Sequence, residues 1–266
     1  MISVGAEGFR LIKAQNVLSH GEINIEKARH QYGLMCEALE PIQIPGAGLP
    51  DEVFVANTAL SLPRLAKPTF LMANMKYAQR KVEPLNLARH LRKMGATVIK
   101  WPHLSVWEGQ GETTWFHEGR TLVVGYGFRC TKKSVADLRE TLESVYRTRG
   151  VEPPLVIGVK LLDPKFYHTD LAMLSLGNRC IIQAGAISDA DILILTALGI
   201  ECVVRAFHDT YALNSVIKDH TIYTHVLNAK SRKVLENVCG PLKIVELDVS
   251  EFEKSGGGVR CMILTI

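Results

Sequence analysis

Segments of helical periodicity recur along this chain at intervals of roughly 40 to 60 residues, each flanked by short runs rich in β-branched residues. This alternation limits the fold more than any other feature, because each helix must cover strands that lie close to it in sequence. The clearest helix is Thr131 to Arg149, where Val135, Leu138, Leu142 and Val145 share one face, Thr131 or Ser134 can cap the start, and Gly150 stops it. Asn86 to Met94 repeats the signal with Leu87, Leu91 and Met94, closed by Gly95. Asn24 to Leu39, Ser188 to Leu198 and Lys230 to Val238 complete the set. Strands are expected at Glu52 to Val55, Thr97 to Lys100, Leu122 to Val124, Cys180 to Gln183, Cys202 to Arg205, Ile222 to Val226, Lys243 to Leu247 and Met262 to Ile266. Five similar α/β units describe this economically. A doubly wound sheet would be expected to carry a Gly-rich turn after its first strand, and none is there. Pro41 to Asp51 and Ala59 to Lys67 read as surface loops, and with no linker between units the expectation is one domain over residues 1–266.

Charge and composition remove several function classes. The 31 basic and 27 acidic residues are interspersed, and the densest basic stretch, Arg89 to Lys100, alternates with apolar positions like the wet face of a packed helix, so nucleic-acid binding is not favoured. No apolar run is long enough to span a bilayer, and Met1 to Leu11 carries Glu7 and Arg10 where a secretory signal would be apolar. The protein is therefore expected in the cytoplasm, without membrane partners. Its six cysteines would suit three disulfides by number, but a long chain expected to carry no secretory signal does not need them, and with no C-x-x-C pair a zinc site has no support either.

Three motifs carry chemistry. Ser255-Gly256-Gly257-Gly258-Val259-Arg260-Cys261 places a thiol where a glycine loop enters the expected last strand. Three consecutive glycines are entropically costly to order, which points to a tight turn or a close approach of backbone to a ligand. Phe166-Tyr167-His168-Thr169-Asp170 sets a histidine two residues from a carboxylate, and in an extended segment both would face one side, as a proton shuttle requires. In Trp107-Glu108-Gly109-Gln110-Gly111-Glu112 two glutamates bracket Gly-x-Gly, with Trp115 beyond and a second glycine turn at Gly125-Tyr126-Gly127-Phe128-Arg129. Paired carboxylates suit a planar cation with several N–H donors.

Taken together and in this order, these motifs resemble the guanidine-modifying, or pentein, superfamily, which includes arginine deiminases, dimethylarginine dimethylaminohydrolases, arginine dihydrolases and amidinotransferases. The resemblance runs from about Asp51 to the end of the chain. It implies an α/β fold of five units around a pseudo-fivefold axis, a five-bladed α/β propeller with its site in the central channel. It implies Cys261 as nucleophile, His168 as general acid and base, and Glu108 and Asp170 as carboxylates holding the guanidinium. Arg80, in Asn74-Met75-Lys76-Tyr77-Ala78-Gln79-Arg80, and Arg129 resemble the cations that grip an amino acid's carboxylate. Asn214 and, across alignment gaps, Asn16 match pocket-lining positions.

Two departures are informative. Glu112 stands where an aspartate is usual. In Val53-Phe54-Val55-Ala56-Asn57-Thr58-Ala59-Leu60, Asn57 occupies a position that is aspartate in deiminases and dimethylargininases and asparagine in arginine dihydrolases. An amide both donates and accepts, so it suits neutral citrulline as well as cationic arginine. The resemblance thus implies a cysteine-dependent hydrolase of arginine or a close derivative, with a small guanidino substrate, no metal and no organic cofactor. Amidinotransfer and a binding module like the related ribosomal anti-association factor are the alternatives. The short chain lacks the insertions of amidinotransferases, and it carries the Cys-His-carboxylate set that the binding module lacks. Methylated arginine, agmatine and guanidino acids stay open as substrates, as does homo-oligomerisation.

Overall fold

The computed structural model describes residues 1–266. The chain begins with β1 (Ile2–Val4), α1 (Ile25–Leu39) and β2 (Ile42–Ile44), β1 and β2 pairing in parallel. Three-stranded sheets follow. The first is β3 (Ala59–Ser61), β4 (Thr69–Met72) and β5 (Thr97–Ile99) with α2 (Glu83–Lys93); the next is β6 (Thr113–Phe116), β7 (Thr121–Tyr126) and β8 (Leu155–Lys160) with α3 (Lys132–Arg147). Then come the one-turn helix α4 (Thr169–Ala172), β9 (Met173–Leu176), β10 (Arg179–Gln183), α5 (Asp189–Ala197) and β11 (Glu201–Arg205). The last unit has β12 (Val216–Lys218), β13 (Thr221–His225), α6 (Ala229–Cys239) and β14 (Lys243–Leu247), followed by α7 (Ser250–Glu253). In each three-stranded sheet the first pair is antiparallel and the second parallel, the parallel pair bridged by the long helix.

All five long helices lie where periodicity places them. Asn24 caps α1 by accepting from Lys27 N at 3.0 Å, and Thr131 with Ser134 forms a reciprocal capping box on α3. Five hydrophobic cores fill the spaces between neighbouring units. The ring closes through the chain ends: Ile2 and Leu264 exchange backbone hydrogen bonds of 2.8 and 2.9 Å, and the C-terminus supplies the antiparallel partner that the first unit lacks.

Several local expectations are corrected. Glu52 to Val55 is a turn entering the 3₁₀ segment Val55–Thr58, because the consecutive Val53 and Phe54 are buried in the same core, which alternation along a strand forbids. Met262 to Ile266 makes one bridge instead of a strand, since Arg260–Met262 is a 3₁₀ turn; Cys261 therefore sits in that turn, not at a strand entrance. Pro41 to Asp51 contains β2, and Ala59 to Lys67 contains β3, each too short to show alternation. His168 caps α4 and Asp170 lies in its first turn, so their shared direction comes from a helix start and not from an extended segment.

Candidate active site

The inner ends of the units are short turns, and the motif residues come from them: Asn57 from Val55–Thr58, Arg80 from Ala78–Arg80, Glu108 and Glu112 from the start and end of Gly109–Glu112, and Cys261 from Arg260–Met262. A small cavity, about 10 Å³, is lined by Asn16, Asn57, Arg80, Arg129, His168 and Cys261 together with Asp51, Phe54 and Tyr167. That volume holds one water at most. Its mouth is shut by Gln15 and Asn16: the Gln15 carbonyl accepts from Tyr77 Oη and Arg129 Nη2, and Asn16 Nδ2 donates to the Ser255 carbonyl at 3.2 Å.

The Cys261 thiol lies between two groups, with Asn214 Nδ2 at 3.3 Å and Asp170 Oδ2 at 3.5 Å. Asn214 Oδ1 also accepts from Arg260 N at 3.0 Å, which fixes the turn that carries the thiol. Burial, reinforced by the Asp170 charge, pushes the Cys261 pKa well above the usual thiol range, so the unliganded residue is a neutral thiol. Asp170 is itself buried and its pKa raised, with His168 and Arg260 opposing that rise.

His168 Nε2 contacts Glu108 Oε2 at 3.0 Å, and the same oxygen accepts from Arg129 Nη1 at 2.8 Å. Burial works to raise the Glu108 pKa, but the Arg129 charge and the His168 contact outweigh it and hold this carboxyl well below its usual range. Glu112 Oε1 approaches His168 Nε2 only to 3.8 Å, and neither of its oxygens has a hydrogen-bond partner. Burial first and Glu108 second push its pKa well above the ordinary value.

Both arginines line the cavity and are already paired with carboxylates of the chain. Arg80 is clamped by Glu83 at 2.7 Å, and Arg129 is paired with Glu108 and sandwiched between the rings of Tyr77 and Tyr167 at 4.7 and 4.9 Å. Buried guanidinium groups need such counter-ions. Sequence reading missed Glu83, although its i+3 spacing from Arg80 at a helix start was the signal. Arg80 Nη1 also donates to Asn57 Oδ1 at 3.3 Å, while Asn57 Nδ2 is buried without a partner.

Glycines let these groups converge. A Cβ on Gly111 would lie 2.3 Å from Asn57 Nδ2, one on Gly257 2.2 Å from the Phe54 ring, and one on Gly258 2.7 Å from Asn214 Oδ1. Asp170 also borders a second cavity of about 230 Å³, which opens beyond Arg260, Thr113 and Ser215.

The chain is 26% identical over 246 residues, 90% of its length, to the bifunctional arginine dihydrolase/ornithine cyclodeaminase ArgZ of Synechocystis sp., of which the match covers 32%. It is 28% identical over 237 residues to the N(G),N(G)-dimethylarginine dimethylaminohydrolase of Mycobacterium tuberculosis, covering 88% of this chain and 70% of the relative. The solved N-terminal domain of ArgZ bound to substrate superposes with a TM-score of 0.83 at 22% identity, over 99% of this chain and 96% of that one. These relatives, together with the shared fold, support membership of the guanidine-modifying, or pentein, superfamily. A dimethylarginine dimethylaminohydrolase adduct shares the pentein fold at a TM-score of 0.74 and 17% identity, over 98% of this chain and 96% of that one. No family model matches the chain. The chain spans about a third of the length of the two cyanobacterial bifunctional relatives it matches. No helix is long and apolar enough to cross a membrane.

Proposed function

We propose that residues 1–266 work as one arginine dihydrolase domain, converting arginine to ornithine, carbon dioxide and two ammonia through an amidino-thioether. The observation that carries this reading is a buried thiol held by Asn214 and Asp170 in the same cavity as the His168–Glu108 pair and the unpartnered amide of Asn57.

The guanidinium carbon is resonance-stabilised and needs a strong nucleophile and a site that holds it. Entry of the substrate displaces Gln15 and Asn16, because the closed cavity is too small for it. A guanidinium arriving beside Asp170 brings the positive charge that the neutral Cys261 thiol lacks, and this favours the thiolate. The thiol proton passes to His168, whose protonated ring finds its countercharge in Glu108. The thiolate adds to the carbon, a C–N bond breaks, and His168 returns the proton to the departing ammonia. His168 then deprotonates water, which attacks the carbon; the C–S bond breaks and citrulline forms. A second addition at the ureido carbon, with loss of the second ammonia and hydrolysis of the thiocarbamate, leaves a carbamate that sheds carbon dioxide.

Asn57 supports two steps over one, since its amide can face the cation and then the neutral ureido group without a charge left unpaired. Arg80 and Arg129 line the same cavity and supply the positive end that an α-carboxylate would meet. A small guanidino compound is thus the partner. All six cysteines are unpaired, as a reducing compartment keeps them, which supports a cytoplasmic setting. Incubation with uniformly labelled arginine and mass spectrometry of the products tests the reading. Ornithine with two ammonia per arginine is expected from the native protein and no turnover from Cys261→Ser. Citrulline as sole product would remove the second step, and undiminished turnover by the serine variant would remove the thiol mechanism.

A further inference from the structure

The outer face carried by α5 differs from that carried by α3. The outward positions of α3 carry Lys132, Arg139, Glu140 and Glu143, the polar face expected of a helix that meets water. Helix α5 reads Asp-Ala-Asp-Ile-Leu-Ile-Leu-Thr-Ala, and Leu195 is its only buried residue. Ala190, Leu193, Ile194 and Ala197 recur at i, i+3, i+4 and i+7 as a second apolar stripe, away from Leu195, with Leu193 69% and Ile194 49% exposed. Spacing of this kind is what a helix uses to pack against another element.

Strand β11, which α5 leads into, is the edge of its sheet and pairs only with β10. Its other edge therefore presents unpaired N–H and C=O groups. Edges left to water usually carry lysine, proline or a bulge at their centre, whereas β11 reads Glu-Cys-Val-Val-Arg. Cys202 packs with the core beneath α5, so by alternation Val204, 36% exposed, continues the apolar surface of the helix.

We infer that a second copy of this chain docks on this face, with β11 pairing antiparallel to its counterpart about a twofold axis at Val203. The charge pattern selects that occupant. Antiparallel register centred on Val203 sets Glu201 opposite Arg205 of the copy, and by symmetry Arg205 opposite Glu201, while Cys202 faces Val204. Arg205 has no carboxylate partner within the chain, its guanidinium donating only to the Val204 carbonyl at 2.8 Å. Glu201 contacts Arg179 at 3.1 Å and keeps its other oxygen for a second cation. The strand is thus self-complementary, as an isologous interface requires, and the two sheets of three become one of six.

Sedimentation velocity over a concentration series tests this, with folding followed by far-ultraviolet circular dichroism. Wild type is expected to move from the 29.5 kDa chain mass to twice that mass as concentration rises. Arg205→Glu opposes carboxylates at both symmetric positions and should raise the dimer dissociation constant by at least about tenfold, and Leu193→Glu should do the same through the apolar stripe. The double variant Glu201→Arg, Arg205→Glu restores opposite signs and should restore the dimer. Wild type that stays monomeric up to about 100 µM, well beyond a specific interface of ordinary strength, overturns the proposal. So does a dimer that neither single variant weakens, or a charge swap that fails to rescue.

Discussion

Replacing Gly111 with alanine tests the site geometry more sharply than removing any catalytic group. The new Cβ would stand 2.3 Å from Asn57 Nδ2 and 3.3 Å from His168 Nδ1. Ordinary contact begins at 3.4 Å, so the Asn57 amide must retreat by about 1 Å. It has nowhere to go, because Asn57 is buried and its Oδ1 is held by Arg80. Overpacking of this kind costs about 1 to 3 kcal/mol of stability. Displacing a substrate-holding group by about 1 Å costs about a hundredfold in rate, equivalent to about 2.7 kcal/mol in the barrier. Continuous measurement of ammonia release gives kcat and KM, and thermal denaturation reports the packing cost. Gly33→Ala is the control: Gly33 lies inside α1 with no atom within 4 Å of its added Cβ, so it should raise stability by about 0.5 to 1 kcal/mol and leave turnover alone. Wild-type kcat/KM in Gly111→Ala would show that Asn57 and His168 need not sit where the structure holds them, and the reasoning would fail.

Asn57→Asp places a carboxylate 3.3 Å from Arg80, a partner already committed to Glu83, and leaves it poorly matched to neutral citrulline. The cost of about 1 to 3 kcal/mol should slow ornithine formation five- to 150-fold and let citrulline accumulate; an unchanged ornithine yield refutes this. The raised pKa of Cys261 predicts slow alkylation of that residue in the free protein by iodoacetamide, read by peptide mass spectrometry and still rising about tenfold per pH unit at about pH 10, whereas levelling off above about pH 9 would indicate an ordinary thiol. Glu112 ionises at its usual pH in the unfolded chain but well above it in the folded one, so its stabilising share is complete below the ordinary carboxylate pKa and is lost as pH rises. Glu112→Gln deletes that titration, and its Tm advantage over wild type should widen from pH 5 to pH 8; a constant difference would contradict the burial argument.

The five long helices were legible because periodicity, Asn24 and Thr131 caps and stop glycines act within a few residues of one another. The motifs that bring Cys261, His168, Glu108 and Asn57 into one small site were legible for a related reason: each lies in a short segment whose residue types declare their chemistry. Strands of three or four residues, such as β2 and β3, carry too few positions to show alternation, and their existence depends on the partner strand. Burial of Val53, Phe54 and Val55 in two separate cores likewise had no local sign. The helices, the repeating α/β order and the chemical inventory thus follow from local residue pattern. Chain folding is what makes Glu83 and Glu108 neutralise the two arginines, sets Asp170 against the thiol, and closes the ring through Leu264 and Ile2. Those contacts join residues brought together by chain closure, and a charge or thiol takes its protonation state from the neighbours that closure supplies.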